Sequence, residues 1–267
     1  MSPEESVRAG NLSQALQDLQ QRVRNNPGDA KSRIFLFQLL AVLGQWERAG
    51  TQLKVASDLD PATLILAQVG RQALQAEQLR ARVFAGATTP MLMGEPAAWV
   101  PLLLEALRLA AEGHYDRAAE LRGQALESAP ATSGTINGEK FAWIADADSR
   151  LGPCLELIVD GKYFWVPFDR IRSLRMEAPA DLQDVVWMQT IVTWTNQGQV
   201  PALIPTRYVG TESADDDVVK LSRRTDWTEH PADTYFGAGQ RMLTTDAGEY
   251  PLLEVREIVF THEADGG

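Results

Sequence analysis

GQWERAGTQLKVASDLDP, residues 44–61, occurs in this chain in three versions. Residues 10–27 read GNLSQALQDLQQRVRNNP, and residues 113–130 read GHYDRAAELRGQALESAP. Each version is eighteen residues long, opens on glycine, carries alanine at its sixth position and closes on proline. Gly10 and Gly44 stand 34 residues apart; Gly44 and Gly113 stand 69 apart, one more than twice that period. Within and between the versions, leucines recur at helical spacing: Leu12, Leu16 and Leu19 with Val23, and Leu36, Leu39, Leu40 and Leu43.

A 34-residue period of paired helices is the tetratricopeptide signature. The physical reading is direct. Gly44 falls in the tight turn between two helices, where a side chain is expected to clash. Trp46 packs at the start of the second helix, where Leu12 and Tyr115 stand in the other versions. Ala49, like Ala15 and Ala118, is small because the helices cross closely there. Pro61, like Pro27 and Pro130, stops the second helix and redirects the chain. The array is irregular: the first helix of the first version is cut short to about residues 2–9. Residues 62–98 hold a long helix and then ATTPMLMGEP, with no match to the pattern. In the second version the inner face presents Lys31, Ile34, Gln38, Ala41 and Val42, a mixed surface suited to a peptide or helix and the candidate partner-binding set. The same face in the third version, Val100, Leu103, Leu107, Ala110 and Ala111, is wholly apolar and is expected to be covered by the second half of the chain.

Near residue 131 the periodicity changes. PATSGTINGE reads as a small polar connector, and strand signals dominate after it. CLELIVDGKYFWVPF alternates around Asp160-Gly161, a hairpin turn signal. VVWMQTIVTW is a β-branched and aromatic run, and RMLTTDAGEYPLLEVREIVF reads as a second hairpin turning at Asp246-Ala247-Gly248. The expected fold is therefore α+β. An irregular tetratricopeptide-like helical array over 1–133 precedes a small antiparallel β-rich domain over 134–267, built like a partly open barrel.

The whole-chain numbers narrow the function classes. With 45% hydrophobic and 23% charged residues the composition is that of an ordinary globular protein. There is no apolar run long enough to span a membrane, and MSPEESVRAG has neither the basic nor the apolar region of a secretory signal. One cysteine, Cys154, forms no internal disulfide, so a cytoplasmic location is expected. Residues 1–133 carry 13 lysines and arginines against 14 aspartates and glutamates, a net of −1; residues 134–267 carry 12 against 22, a net of −10. Neither part has the positive footprint that nucleic acid requires.

The sequence holds no motif that marks a chemical site. The three histidines, His114, His230 and His262, have no metal-ligand spacing, and neither a phosphate-binding loop nor a nucleophile elbow is present. FGAGQR opens no helix and reads as a loop. Asp146 and Asp148 alternate, so two carboxylates could share a strand face; surface or turn-forming aspartates beside Arg150 are the simpler reading. Glu212, Asp215, Asp216 and Asp217 look like a solvated loop. Tyr163, Trp165 and Phe168 read as core. No catalytic residue, cofactor or metal is expected, and the chain is read as a non-enzyme.

FAWIADADSRLGPCLELIVDGKYFWVPF, then PALIPTRYVG and GQRMLTTDAGEYPLLEVREI, behind a short irregular array, resembles the ImpE/TagJ family over about residues 8–260. The DADSRLGP and GQR segments are its most specific parts. The resemblance implies an adaptor of the bacterial type VI secretion system. That adaptor binds the N-terminal helix of the small contractile-sheath subunit (TssB) and is linked to sheath turnover by the ATPase ClpV. No catalytic set is carried over. The alternatives are a generic tetratricopeptide scaffold for another system, or an enzyme with an unrecognised site, whose sign would be an organised cluster around Asp146, Asp148 and Arg150.

Overall fold

The computed structural model of the chain describes residues 2–262. Seven helices lead: α1 (Pro3–Arg8), α2 (Leu12–Asn25), α3 (Ala30–Val42), α4 (Trp46–Leu59), α5 (Leu64–Phe84), α6 (Val100–Ala111) and α7 (Tyr115–Ser128). They pair in chain order, α1 on α2, α3 on α4 and α6 on α7. The three repeated stretches become α2, α4 and α7, each fourteen residues long. Each begins two residues after its glycine and ends two before its proline. Ala15, Ala49 and Ala118 are at most 1% exposed, which fits close crossing of the paired helices.

The glycines are needed first for backbone conformation. Gly10, Gly44 and Gly113 have φ of +74°, +68° and +82°, a region that side chains with a Cβ disfavour. The expected steric clash exists only at Gly44, where a Cβ would lie 2.5 Å from Glu212 Cγ. At Gly113 the space is open.

A two-residue strand, β1 (Met91–Leu92), interrupts the helices inside ATTPMLMGEP and pairs parallel to the edge of the main sheet. The remaining strands are β2 (Gly134–Ile136), β3 (Glu139–Phe141), β4 (Ile144–Asp146), β5 (Cys154–Val159), β6 (Lys162–Pro167), β7 (Ile171–Met176), β8 (Trp187–Trp194) and β9 (Gln199–Pro205). After the short helix α8 (Asp217–Lys220) come β10 (Thr225–His230), β11 (Thr234–Gly239), β12 (Met242–Thr245), β13 (Glu249–Pro251) and β14 (Glu257–Phe260). The main sheet has nine strands in the order β1-β6-β5-β9-β8-β7-β14-β2-β3 and does not close, since its two end strands do not pair with each other. Two small sheets, β13-β12-β4 and β10-β11, complete an α+β architecture. Every ladder except β1–β6 is antiparallel.

Three sequence expectations change. PATSGTINGE is not a plain connector: Asn137 and Gly138, both at positive φ, turn the β2–β3 hairpin. FGAGQR is not a loop; its first four residues belong to β11. Glycine is required there because a Cβ on Gly237 would lie 2.2 Å from the Tyr208 ring, and one on Gly239 2.0 Å from the Arg224 carbonyl. The acidic run is not simply solvated. It forms a 3-10 turn and α8, and Asp217 Oδ2 accepts the Leu12 backbone N–H at 2.9 Å, satisfying a free donor at the start of α2.

Two apolar cores result. One lies within the β part, between the main sheet and the β4–β12 ladder, and includes Ile144, Leu157, Val192 and Leu243. The other joins helices to sheet: Phe37, Leu53, Phe84, Val100 and Leu103 cluster with Cys154, Tyr163, Trp165 and Trp187. Val100, Leu103 and Leu107 are all buried, and Leu103 and Leu107 line a narrow crevice with Arg150 and Phe236 of the β part.

Candidate functional site

The predicted partner-binding residues occupy two environments. Lys31 is exposed and Ile34 half-buried, while Gln38, Ala41 and Val42 are buried. The last two turns of α3 lie against the main sheet: Phe37 stacks on Trp187 with ring centroids 6.5 Å apart. The α3 C-terminus is capped by Arg207, which donates to the Val42 carbonyl at 2.8 Å and the Ala41 carbonyl at 3.0 Å. A guanidinium suits this place because helix C-terminal carbonyls are unpaired and carry partial negative charge. The five residues therefore form no continuous open face; only the first turns of α3 are accessible.

Asp146, Asp148 and Arg150 do form an organised cluster, and it is larger than the sequence suggested. Asp146 pairs with Arg241, and its other oxygen accepts from the Tyr208 hydroxyl at 3.0 Å. Asp148 accepts from Arg150 Nε at 2.8 Å and from the Gly237 backbone N–H at 2.8 Å. Arg241 reaches on to Glu156, which also takes Arg80 Nε at 2.7 Å and the Tyr163 hydroxyl. Arg80 then bonds Glu77 at 3.3 Å, and Glu77 accepts Trp187 Nε1 at 2.9 Å. Asp146, Asp148, Glu156 and Glu77 balance Arg241, Arg150 and Arg80, with Arg207 nearby.

The electrostatics follow from burial and pairing. Burial pushes the Glu156 carboxyl up, but the Arg80 and Arg241 guanidiniums overcome it and hold it at about 2. For Asp146 burial wins over Arg241, and the carboxyl is raised to about 6. The Tyr163 hydroxyl is raised far above its usual value by burial and by Glu156, so it stays a donor. All of these side chains except Arg150 are under a tenth exposed. Chemically the cluster binds helix α5 to strand β5 and, through Arg241 just before β12, to β4, and it turns its carboxylates toward its own arginines rather than toward solvent. Cys154 is buried, with its thiol raised by burial, so it is not a thiolate nucleophile at neutral pH. Among the described residues no group of three His, Cys, Asp or Glu side chains is gathered as metal ligands. Among them, too, no helix is long and apolar enough to cross a membrane.

Glu156, Arg80, Arg207 and Arg241 were not singled out from sequence. A signal did exist. Glu156 sits inside CLELIV, where every residue of the strand is buried, and a charge within an apolar run is normally a paired one.

An open groove lies elsewhere on the surface of the described residues. Val69 and Gln72 of α5, the outward face of β5, β8 and β9, and the segment 175–184 bound a groove of about 410 Å³. Nothing in the sequence pointed to it, because it arises where the helical layer ends before the sheet does.

Comparison with known proteins places the chain. Residues 138–259 match the profile of a family described as ImpE protein. The chain is 50% identical over 260 residues to a Pseudomonas aeruginosa protein described as a type VI secretion system accessory component, TagJ, covering 97% of this chain and 91% of that one. It is also similar to a Vibrio parahaemolyticus protein of known crystal structure, with TM-score 0.88, 27% identity and 98% of each chain covered.

Proposed function

The chain belongs to the ImpE/TagJ family, and from that premise we propose that it is a type VI secretion accessory protein working as an adaptor rather than a catalyst. One observation carries the proposal: half of the residues are identical to the Pseudomonas aeruginosa accessory component across nearly the full length of both chains. The paired helices with their 34-residue period support a tetratricopeptide-like array over residues 1–133, joined to a β-rich unit over 134–267.

In this reading the partner is the N-terminal helix of the small sheath subunit, TssB, and the adaptor is linked through the sheath to ClpV in the cytoplasm. An amphipathic helix docks through apolar anchors spaced i, i+3, i+4 and i+7, with charges at the rim. A single short helix buries less than a standard interface, so micromolar affinity is expected, roughly −8 kcal/mol. The test is a titration of full-length TssB, and of TssB lacking its first helix, against the purified chain. Micromolar binding that disappears with the helix supports the reading. Failure of full-length TssB to bind overturns it.

A further inference from the structure

The groove beside α5 is a piece of sheet with no helix on it. Along β8, alternate residues Trp187, Gln189 and Ile191 point to the helical side. Trp187 is covered by Phe37 and Trp46, but Gln189 is exposed and Ile191 is 43% exposed. Across the ladder, Leu203 stands opposite Gln189 and beside Ile158, while Pro201 stands opposite Ile191. Ile158, Ile191, Pro201 and Leu203 make a largely apolar floor around Gln189. On one side rises α5 with Val69, 40% exposed, and one turn earlier Ile65, 79% exposed. A sheet face buries its apolar side chains under a layer of helices, and here Gln189 and Ile191 remain uncovered. Exposed apolar residues gathered in one groove, here Val69 and Ile191, mark interaction surfaces.

The opposite wall is acidic. Glu177, Asp181 and Asp184 line it, with Arg175 as the one cation among the groove's lining residues, while Asp160 sits on the α5 side, in the turn whose Gly161 lies against Gln72. Asp184 carries a specific demand. It is 5% exposed; its Oδ2 accepts the backbone N–H groups of Ala180 and Asp181, both at 2.8 Å, while its Oδ1 is buried with no partner. A buried oxygen without a donor is unfavourable, and native structures normally satisfy it.

We propose that this groove seats one amphipathic helix of a partner protein. Its apolar side lies on Ile191 and Leu203, and its lysine or arginine side chains face the exposed Glu177 and Asp181. The inference deepens the adaptor reading, on which it rests, by giving the incoming helix a seat on the β part and α5 in place of α3. Charge complementarity selects a basic helix, and its effect falls chiefly on the association rate and on salt dependence.

The experiment titrates a labelled peptide of the first TssB helix against the full chain and four variants. Ile191→Glu and Val69→Glu alter the groove; Ile34→Asp alters the exposed part of α3, and Leu126→Glu alters an exposed leucine on α7. All four positions are at least partly exposed, and matched thermal unfolding identifies correctly folded variants. Each groove variant is expected to weaken binding tenfold or more, with Ile34→Asp and Leu126→Glu changing it less than threefold. Affinity is expected to fall several-fold between about 50 and 300 mM salt, as exposed charges are screened. Equal binding by parent and groove variants, or a loss seen only with Ile34→Asp, overturns the groove while leaving the adaptor reading in place. Salt-independent binding overturns the acidic wall's role. Absence of binding to the parent chain overturns the adaptor reading and this inference with it.

Discussion

Arg80 on α5 and Glu156 on β5 meet with 2.7 Å between Nε and Oε1, and neither side chain is more than 2% exposed. This pair is a tie between the helical and β parts at a depth where water cannot replace either partner. Removing one member of such a pair costs more than the pair contributes, because the other charge stays buried without compensation.

Glu156→Gln is therefore expected to destabilise the chain by about 3–5 kcal/mol, since Arg80 and Arg241 both lose their shared carboxylate. Arg80→Met with Glu156→Met is expected to lose less than the sum of the two single changes, by more than about 1 kcal/mol. Urea unfolding of the parent, the two single Met variants and the double variant measures this. Additive losses would show that the two residues are not coupled.

The pH dependence of Asp146 has a definite sign. Burial raises its carboxyl from 3.8 to about 6, against the pull of Arg241. Between about pH 4 and 6 the folded chain keeps a proton on Asp146 that the unfolded chain has released. Stability owed to this group thus falls as pH rises through that window, by about 3 kcal/mol for a shift of roughly two units. Asp146→Asn removes this slope, whereas the opposite slope from Glu156, held at about 2, is common to both proteins. The stability difference, parent minus Asn variant, is expected to decline from pH 4 to 6.5. A difference that stays flat or rises across those pH values refutes the assignment.

Gly44 and Gly113 separate backbone conformation from contact. Both need positive φ, so Gly113→Ala, with open space around it, is expected to cost about 1 kcal/mol. Gly44→Ala adds a collision with Glu212 Cβ and Cγ at 2.7 and 2.5 Å, and is expected to cost about 2–3 kcal/mol. Equal losses for the two variants in denaturant titrations would mean that the 211–213 turn moves aside freely.

What could be read from the residues alone was whatever repeats or alternates. Ala15, Ala49 and Ala118, with their glycines and prolines, located three helices, and Asp160-Gly161 located a hairpin. What could not be read depends on distant partners. Nothing near Arg241 in the chain shows that it lies between Asp146 and Glu156, 95 and 85 residues away. The α3 face illustrates the same limit. Its mixed pattern suits an open groove, yet Gln38, Ala41 and Val42 are buried, and the end of α3 is capped by Arg207, 165 residues further along the chain. Gly237 and Gly239 suggested a loop because the Tyr208 ring and the Arg224 carbonyl that demand glycine come from other strands and turns.

Arg207 gives the final prediction. It is 2% exposed and its guanidinium donates to three carbonyls from two segments: Ala41 and Val42 at the end of α3, and Lys220 of α8 at 3.0 Å. Burial lowers its pKa to about 10, which still leaves it charged at neutral pH. An arginine can serve three acceptors at once because its donors form a fixed planar fork; a lysine ammonium is a single point on a flexible stem. Arg207→Lys keeps the charge but is expected to leave the Val42 carbonyl buried and unpaired, costing about 1–3 kcal/mol, whereas the Ala41 carbonyl keeps the Gly44 backbone N–H. The loss should concentrate where the carbonyls are, so amide exchange in the last turn of α3 and in α8 should speed up more than in α7, which Arg207 does not touch. Exchange that accelerates equally in α7 would make the effect global and remove the capping role; an unchanged stability would show that a lysine reaches all that the arginine does.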